Sequence, residues 1–500
     1  MKPPLPHRFR FWLPLSLVTG LLTACGGGAM DTAAGSDTSV SPEMKVTGAV
    51  PTGGPSVDLS KTLRGTVLSA SAPETLTKNG IDNSVSEAEA PLVTNNPDAK
   101  SAAGNAKCNV QVVKLSYSTI NPQDPPKAIK ATAFASAALL VPGPKCTAPW
   151  ALLSQQHGTS IGIQGVGPEG INNAAAYFGS QGYVVVMPDY HGYTGSSLPY
   201  HPYLQAEPSA AVVIDAVRAA RNWLHQTGLD THMSDKLFLA GTSEGGYVTM
   251  AAQRSMERYF ASEFTIAASA PTSGPYQVQA TFDLFMNAPD NADESKTVPA
   301  TFIIEGFQRR YGDVYGNPAE AYNKPWRDEM GLPTPLLPSA STSNFGGLFG
   351  NCKLPYNLKD AGGPQFNNCD NTPLLVPDFV TSYKSSPPLG GGAKVRLHAG
   401  ENNLLQSWQP ISKTFVCYGS KDDMATPNAL AAQSYFQTVG AGALLTKEDL
   451  ETETHDTQPA IAQWMVSQTK LHPPGAGYHG QVEAPACTSW SRHTVFDPLR

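Results

Sequence analysis

The distribution of apolar and polar positions from residue 108 onward alternates between short strand-like runs and longer segments of helical spacing. The runs that predict strands cover residues 110–117, 129–141, 149–154, 183–187, 236–240, 264–268 and 414–418. Helical spacing covers residues 171–181, 207–227 and 245–259. The run 183–187 is apolar throughout, which is typical of a strand buried on both faces. We therefore expect an α/β fold with a mostly parallel, doubly wound sheet.

The alternation stops between residues 276 and 410, where Pro, Gly and Asn are dense and clear strands are missing. A structureless loop of this length inside a compact domain is improbable. We therefore predict an inserted cap or lid with short helices of its own, one of them at Pro318–Lys324. The α/β core is then expected to comprise residues 106–275 and 411–500.

The first 24 residues have the form of an export signal, with basic residues followed by a short apolar stretch. The stretch ends in Leu-Thr-Ala-Cys, which resembles the lipobox of bacterial lipoproteins. That resemblance implies cleavage before Cys25, lipidation of its thiol and, with Gly26 next, anchoring at the outer membrane of a Gram-negative bacterium. An ordinary signal peptide and secretion are the alternative. Residues 25–105 are rich in small polar residues and predict a flexible tether, with a short ordered piece near residues 59–68.

Composition narrows the choice of partners and cofactors. The formal net charge is −7, and no basic stripe with interleaved aromatic residues occurs, so nucleic acid is not an expected partner. After Cys25, six cysteines are left, and an even number in an exported chain predicts disulfides. No Cys-x-x-Cys pair occurs, which disfavours zinc, and we expect no metal. Nearness along the chain favours the pairs Cys108–Cys146, Cys352–Cys369 and Cys417–Cys487.

A candidate nucleophile, Ser243, lies at the centre of a Gly-Thr-Ser-Glu-Gly sequence. The G-x-S-x-G pattern is weak alone in a glycine-rich chain, but here it follows the buried strand 236–240 and opens the helix 245–259. A hydrolase nucleophile elbow needs this setting, because the tight turn pushes the serine Oγ out above the edge of the sheet. A glycine-rich β–α turn without a catalytic role is the alternative interpretation.

The expected partners of the serine follow it in the order acid, then histidine. Strand 414–418 runs into a glycine turn and then Asp422, which we predict as the acid; Asp423 is the rival, and both also suit solvated turn carboxylates. His455, in a loop before a helix-like segment, is predicted as the general base, with a surface histidine as the alternative. The later histidines lie in a Pro/Gly-rich tail and suit the role less well: His472, His479 and His493.

An acyl-transfer site also needs two donors to the developing oxyanion. The backbone N–H of Glu244, directly after the nucleophile, is the first candidate. The turn after strand 149–154 is expected to supply the second, with Thr159 N–H favoured and Gly158 as the alternative. Nearby histidines are expected to brace or pack loops instead of acting in catalysis: His157, His191 and His201.

Several segments together resemble secretory lipases and related exported esterases of the α/β-hydrolase superfamily. They are residues 117–122, 138–142, 182–190, 201–203 and 268–276, and the placement of Ser243, Asp422 and His455 agrees with that pattern. The resemblance covers about residues 108–275 and 411–470. It implies hydrolysis of carboxylic esters through an acyl-enzyme, no cofactor, and a lid over the acyl pocket. The residues flanking the serine depart from it, since Thr242 and Glu244 stand where these lipases more often have Tyr and Gln.

The sequence therefore predicts a serine esterase or lipase that acts on small-molecule or lipid esters and meets the membrane only through its lipid anchor. A peptidase or a polyester depolymerase on the same fold is one alternative, because the fold does not decide the substrate. A non-catalytic, surface-anchored binding protein that has kept a hydrolase scaffold is the other. Acyl chain length, the alcohol part of the substrate and the oligomeric state stay open.

Overall fold

One mixed β-sheet forms the core of the protein in the computed structural model. The structure describes residues 58–89, 103–160, 165–286, 294–324, 374–387, 389–451 and 479–500, which all belong to one compact unit, residues 44–500. The strands are β1 (Val67–Ala70), β2 (Glu74–Leu76), β3 (Val110–Thr119), β4 (Ala133–Pro142), β5 (Trp150–Gln156), β6 (Tyr183–Pro188), β7 (Met233–Thr242), β8 (Ile266–Thr272), β9 (Thr414–Tyr418) and β10 (Leu445–Asp449).

The α-helices of the described residues lie between and after these strands. They are α1 (Lys78–Glu89), α2 (Pro168–Tyr177), α3 (Ala206–Gln226), α4 (Glu244–Tyr259), α5 (Val278–Met286), α6 (Glu294–Tyr311), α7 (Pro377–Lys384), α8 (Gly391–Glu401), α9 (Ala425–Thr438) and α10 (Ala484–Trp490). A π-helical turn at His479–Glu483 leads directly into α10.

The strands lie in the order β1-β3-β4-β6-β5-β7-β8-β9-β10, and β2 also pairs with β3. All pairs from β6 to β10 are parallel, whereas β1, β2 and β4 pair antiparallel with β3, and β4 with β6. This arrangement confirms the predicted α/β fold with a mostly parallel sheet. The carboxyl ends of β5, β7, β8 and β9 consequently meet at one edge, the place where sheets of this kind carry their sites.

Both faces of the sheet are covered, because alternate residues of the central strands pack into two separate cores. Val184 and Val186 of β6 belong to the core that contains α3 and α4. Tyr183 and Val185 belong to the core on the other face, with α2 and α10. Double coverage explains why β6 is buried at every position, so that its sequence reads as a continuous apolar run.

The segment predicted as a tether, residues 25–105, differs from that prediction over its described part. β1 and β2 extend the sheet by pairing with β3, and the buried side chain of Arg64 binds Asp215 of α3, with Nε 2.9 Å from Oδ2. These strands are short and are held by backbone hydrogen bonds to β3, which apolar periodicity does not reveal. Residues 58–89 are therefore part of the folded body.

Two of the three predicted disulfides are confirmed, Cys108–Cys146 and Cys417–Cys487. The third pair, Cys352–Cys369, lies outside the described residues, as does Cys25 with the predicted signal. Disulfides persist in oxidising compartments, so the two bonds agree with a location outside the cytoplasm.

The predicted insertion between β8 and β9 is helical where the structure describes it. It contributes α5, α6, α7 and α8, and the helix expected at Pro318–Lys324 is a single 3₁₀ turn at Pro318–Glu320, capped by Asn317. Across the described residues, the structure contains no helix with the length and apolar character that a membrane span requires.

Candidate active site

Ser243 occupies the sharp turn between β7 and α4, in a backbone conformation that only a constrained site maintains. Its φ of 63° and ψ of −127° lie outside the regions that L-residues favour. The first bonds of α4 run from the N–H groups of Gly246 and Tyr247 to Ser243 O, so the serine stands just before the helix. Such strain at a half-buried serine is typical of a functional site, where the surrounding fold enforces it.

The glycines after Ser243 are required by close packing of α4 against the sheet. A Cβ on Gly245 would lie 2.3 Å from the carbonyl oxygen of Gln156 at the end of β5. A Cβ on Gly246 would lie 2.2 Å from the carbonyl oxygen of Thr272 at the end of β8. Any larger residue at either position would push the helix away, and the serine with it.

Backbone hydrogen bonds connect Ser243 to the sheet edge at which Asp422 lies. Ser243 N–H donates to Thr272 O at 3.1 Å, and Ser273 N–H donates to Cys417 O of β9 at 2.9 Å. The ends of β7, β8 and β9 are thereby held side by side. Asp422 follows β9 by four residues and so lies at the same edge as the serine.

Asp422 contacts a histidine, and that histidine is His479. Asp422 Oδ2 lies 2.5 Å from His479 Nδ1, while Oδ1 accepts the N–H groups of Met424 and Ala425, each at 2.8 Å. Asp423 lines a neighbouring cavity of about 310 Å³ between α5 and α9. His479 Nε2 is buried and makes no hydrogen bond to the described residues.

A second carboxylate, Glu483, also lies against His479. Its Oε2 is 2.9 Å from His479 Nδ1, and its Oε1 accepts Gly419 N–H at 2.5 Å. Among the described residues, Asp422, His479 and Glu483 place ligand-type atoms within 4.8 Å of one another. Ligand atoms around a tetrahedral zinc ion would stand about 3.3 Å apart, given metal–ligand bonds of about 2.0–2.2 Å. The distances from His479 Nδ1 to the two carboxylates, 2.5 and 2.9 Å, are shorter than that and are those of hydrogen bonds.

The three groups shift one another's pKa values. Burial by itself would raise the pKa of Asp422, but its hydrogen bond and ion pair with His479 outweigh burial and lower it. Burial would lower the pKa of His479, but both carboxylates reverse that effect and raise it. Burial is also the main cause that raises the pKa of Glu483, to about 7, and the nearby charge of Asp422 adds to it.

The turn after β5 lies beside Ser243, where the sequence predicts an oxyanion loop. A Cβ on Gly158 would stand 3.6 Å from Ser243 Cβ. Thr159 is tied down through its Oγ1, 2.9 Å from Tyr203 Oη. His157 braces the loop as expected: its ring stacks on Tyr190 at 4.0 Å, and Tyr190 Oη donates to His157 O at 2.9 Å.

Glu244 has a buried side chain whose partner the sequence did not indicate. Its Oε1 lies 2.6 Å from His201 Nε2, and His201 Nδ1 lies 2.9 Å from His191 O. Since that carbonyl can only accept, Nδ1 carries a hydrogen, and a further proton must lie between Nε2 and the carboxyl group. The pair fixes the first residue of α4, whose backbone N–H precedes the helical ladder and is therefore free of an intrahelical acceptor.

His455, the histidine predicted as general base, lies outside the described residues. The sequence did not predict the contact of Asp422 with His479, because a Pro/Gly-rich tail argued against that histidine. A signal for it was nevertheless present in the predicted Cys417–Cys487 pair. That bond joins β9 to α10 and draws residues just before α10 toward the turn after β9, where Asp422 lies.

Comparison with known proteins finds one family model and several solved structures that are similar to this chain. The model of the prolyl oligopeptidase family matches residues 170–296, a segment that includes Ser243. A search of curated proteins finds no match. The rice cell wall degrading esterase LipA from Xanthomonas oryzae superposes with a TM-score of 0.67 at 27% identity, covering 88% of this chain and 100% of that one.

More distant structures share the fold. A hydrolase described as putative from Legionella pneumophila gives a TM-score of 0.60 at 21% identity, covering 81% of this chain and 97% of that one. Candida antarctica lipase A in its closed state gives a TM-score of 0.51 at 16% identity, covering 88% of this chain and 95% of that one. The chain is therefore an α/β-hydrolase that is similar to esterases and lipases.

Proposed function

We propose that the protein is a serine hydrolase of carboxylic esters that works through an acyl-enzyme. The observation that carries the proposal is the 2.5 Å contact of Asp422 with His479 Nδ1, at the sheet edge where the strained Ser243 lies. A serine hydroxyl is a poor nucleophile until a base takes its proton. The proposed base is the imidazole of His479, which a carboxylate holds through Nδ1 and whose Nε2 has no hydrogen-bond partner among the described residues.

In the proposed reaction, Ser243 Oγ attacks the ester carbonyl while its proton passes to His479 Nε2. Asp422 holds the ring through Nδ1 and stabilises the imidazolium that forms. The N–H groups of Glu244 and Thr159 donate to the oxyanion. His479 then gives the proton to the leaving alcohol, and a water activated by the same nitrogen releases the acid from Ser243.

The helical insertion is proposed to act as a cap over the substrate. Phe302 of α6 packs against Tyr203, with ring centroids 5.4 Å apart, and Tyr203 in turn holds Thr159 of the oxyanion loop. The insertion thus contacts the wall of the site directly. Phe302→Ala is expected to change the preference for acyl chain length, measured as kcat/KM over a series of p-nitrophenyl esters. An unchanged series would contradict the cap role.

The decisive experiment compares two histidines in the full-length chain. With p-nitrophenyl butyrate, His479→Ala and Ser243→Ala should each lower kcat by roughly 10⁴-fold or more, because triad members act as a unit. His455→Ala is the matched control and should keep near-normal turnover. If His455→Ala loses its activity while His479→Ala keeps near-normal turnover, His455 is the base. If Ser243→Ala stays active, the elbow assignment fails.

A peptidase is the second candidate, favoured by the match to the prolyl oligopeptidase family over residues 170–296. The identity to the esterase LipA, 27% over 88% of the chain, favours esters. Prolyl and aminoacyl p-nitroanilides should therefore be cleaved far more slowly than matched esters, and faster cleavage of the amides would reverse the order. A polyester film tests the depolymerase alternative, and a fluorophosphonate that fails to label Ser243 would favour a binding protein.

We also propose that the protein is exported and lipid-anchored through Cys25. Two disulfides support export, and the Leu-Thr-Ala-Cys sequence supports lipidation. Labelled palmitate should be incorporated by the parent chain and not by Cys25→Ala. Release of unlabelled parent into the medium would instead indicate secretion.

A further inference from the structure

Glu483 is placed where it can act on the base of the proposed triad. The residue ends the π-helical turn that begins at His479, and its side chain is fully buried. Gly419 N–H holds Oε1 at 2.5 Å, and Oε2 points to His479 Nδ1 at 2.9 Å. A buried acid with its own backbone donor is a built feature of the site, since a carboxyl group is costly to bury without partners.

The hydrogen count of the cluster favours a proton on one of the two acids. His479 Nδ1 offers one hydrogen, and Asp422 Oδ2, the nearer acceptor at 2.5 Å, takes it. A neutral Glu483 can donate its hydroxyl to Asp422, and the charge of Asp422 helps to raise the pKa of Glu483. Two ionised carboxylates beside each other would repel, as in other acid pairs that share one proton.

We propose that Glu483 is a positioning residue for the base: it holds His479 against Asp422 and, by keeping or releasing its own proton, sets how readily His479 accepts the proton of Ser243. The inference rests on the proposed triad. When Glu483 is neutral, the imidazole faces one negative charge, as in an ordinary triad. When Glu483 is ionised, two negative charges favour the imidazolium, and His479 is less able to act as a base.

The described residues place several groups against Glu483. His479 lies on the same turn, and Asp422 and Gly419 N–H face it from the turn after β9. Tyr276, which follows β8, interacts with its charge, but the Tyr276 hydroxyl donates to Pro271 O at 2.6 Å. His479 and Asp422 are therefore the described groups on which a change in the charge of Glu483 would act.

Glu483→Gln tests the inference because the amide imitates the neutral acid. Its oxygen can still accept Gly419 N–H, and its NH₂ group can donate to Asp422, but it cannot ionise. The acidic limb of the kcat/KM profile should move about one pH unit or more to lower pH, because an opposite charge at this distance shifts a pKa by that amount. At pH values below the acidic limb of the parent, the kcat/KM of the variant should be roughly ten times that of the parent.

The matched control is Glu401→Gln, since Glu401 Oε2 also lies 2.9 Å from a histidine Nδ1, that of His398 in the insertion. Its profile should coincide with that of the parent. An active Glu483→Gln protein with an unmoved limb would overturn the inference and leave the triad intact. A parent chain that neither hydrolyses esters nor reacts with a fluorophosphonate would overturn the proposed function itself.

The parent protein supplies a measurement that does not depend on a folded Glu483 variant. In ¹⁵N-histidine spectra, the ring nitrogens of His479, assigned through His479→Ala, should follow two titration steps, since two interacting groups titrate as a pair. A single step would overturn the inference.

Discussion

The buried contact between Glu244 and His201 is expected to contribute far more to the free energy of unfolding than a histidine–carboxylate contact of similar distance at the surface. Both side chains are almost fully buried, and Glu244 Oε1 lies 2.6 Å from His201 Nε2. Glu244 Oε2 makes no hydrogen bond to the described residues. His201→Ala therefore strands a buried carboxyl group, and breaking one partner of such a pair costs about 3–5 kcal/mol.

Glu244→Gln separates the charge from the hydrogen bond. The amide can donate to His201 Nε2 while Nδ1–H keeps its bond to His191 O, so the loss in unfolding free energy should be about 1 kcal/mol. In the background of Glu244→Gln, His201→Ala should cost less than it does in the parent chain, by about 2 kcal/mol. The reason is that an unpaired amide is cheaper to bury than an unpaired carboxylate.

Urea unfolding of the parent, both single variants and the double variant measures these terms as a double-mutant cycle. His225→Ala is the control, because His225 Nδ1 lies 2.7 Å from Asp230 Oδ2 at the surface, with side chains 81% and 41% exposed. It should unfold almost like the parent. The reasoning is refuted if His201→Ala and His225→Ala cost the same, or if the cycle shows no coupling between positions 201 and 244.

Further predictions concern a buried ion pair, a disulfide bond and the pKa of Asp422. Arg64→Ala should lower the urea-unfolding free energy by about 3 kcal/mol, because it removes a buried partner of Asp215; loss of less than 1 kcal/mol would mean that residues 58–89 are not part of the cooperative unit. Replacing Cys417 and Cys487 by Ala removes a cross-link over 70 residues and should cost about 4 kcal/mol; an unchanged urea midpoint would contradict this. The pKa of Asp422 is lowered in the folded state, so its contribution to stability is present above its unfolded pKa of about 3.9 and is lost as the pH falls further. Asp422→Asn should flatten the acid-unfolding curve there, and an identical curve would contradict the shift.

Local patterns were sufficient for the strands and helices that build the centre of the sheet. β9 was predicted at residues 414–418, as observed, and β6 and α3 agree within one residue at each end. These elements are buried along a face or on both faces, so their periodicity is strong. β1, β2 and β10 were missed, since short strands at a sheet edge have few buried positions and are recruited by hydrogen bonds to a neighbour.

Site residues whose positions depend only on the neighbouring sequence could also be predicted. The G-x-S-x-G pattern marks a turn whose geometry is local, and the structure shows Ser243 in that strained turn. Asp422 follows its strand by a short glycine turn, so its place at the sheet edge was equally local. Its contact with His479 spans 57 residues, and no local pattern encodes such a distance.

The sequence by itself therefore determined the α/β fold, the serine turn and the two described disulfides, because each rests on periodicity, turn chemistry or cysteine pairing. Only the tertiary structure decided which histidine Asp422 meets, that Glu483 shares that histidine, and that Glu244 is paired with His201. These contacts are made by side chains of short polar segments, whose positions are set by how α4 and α10 pack on the sheet. The packing of these helices depends on contacts throughout the core, and the local sequence pattern of one segment does not predict it.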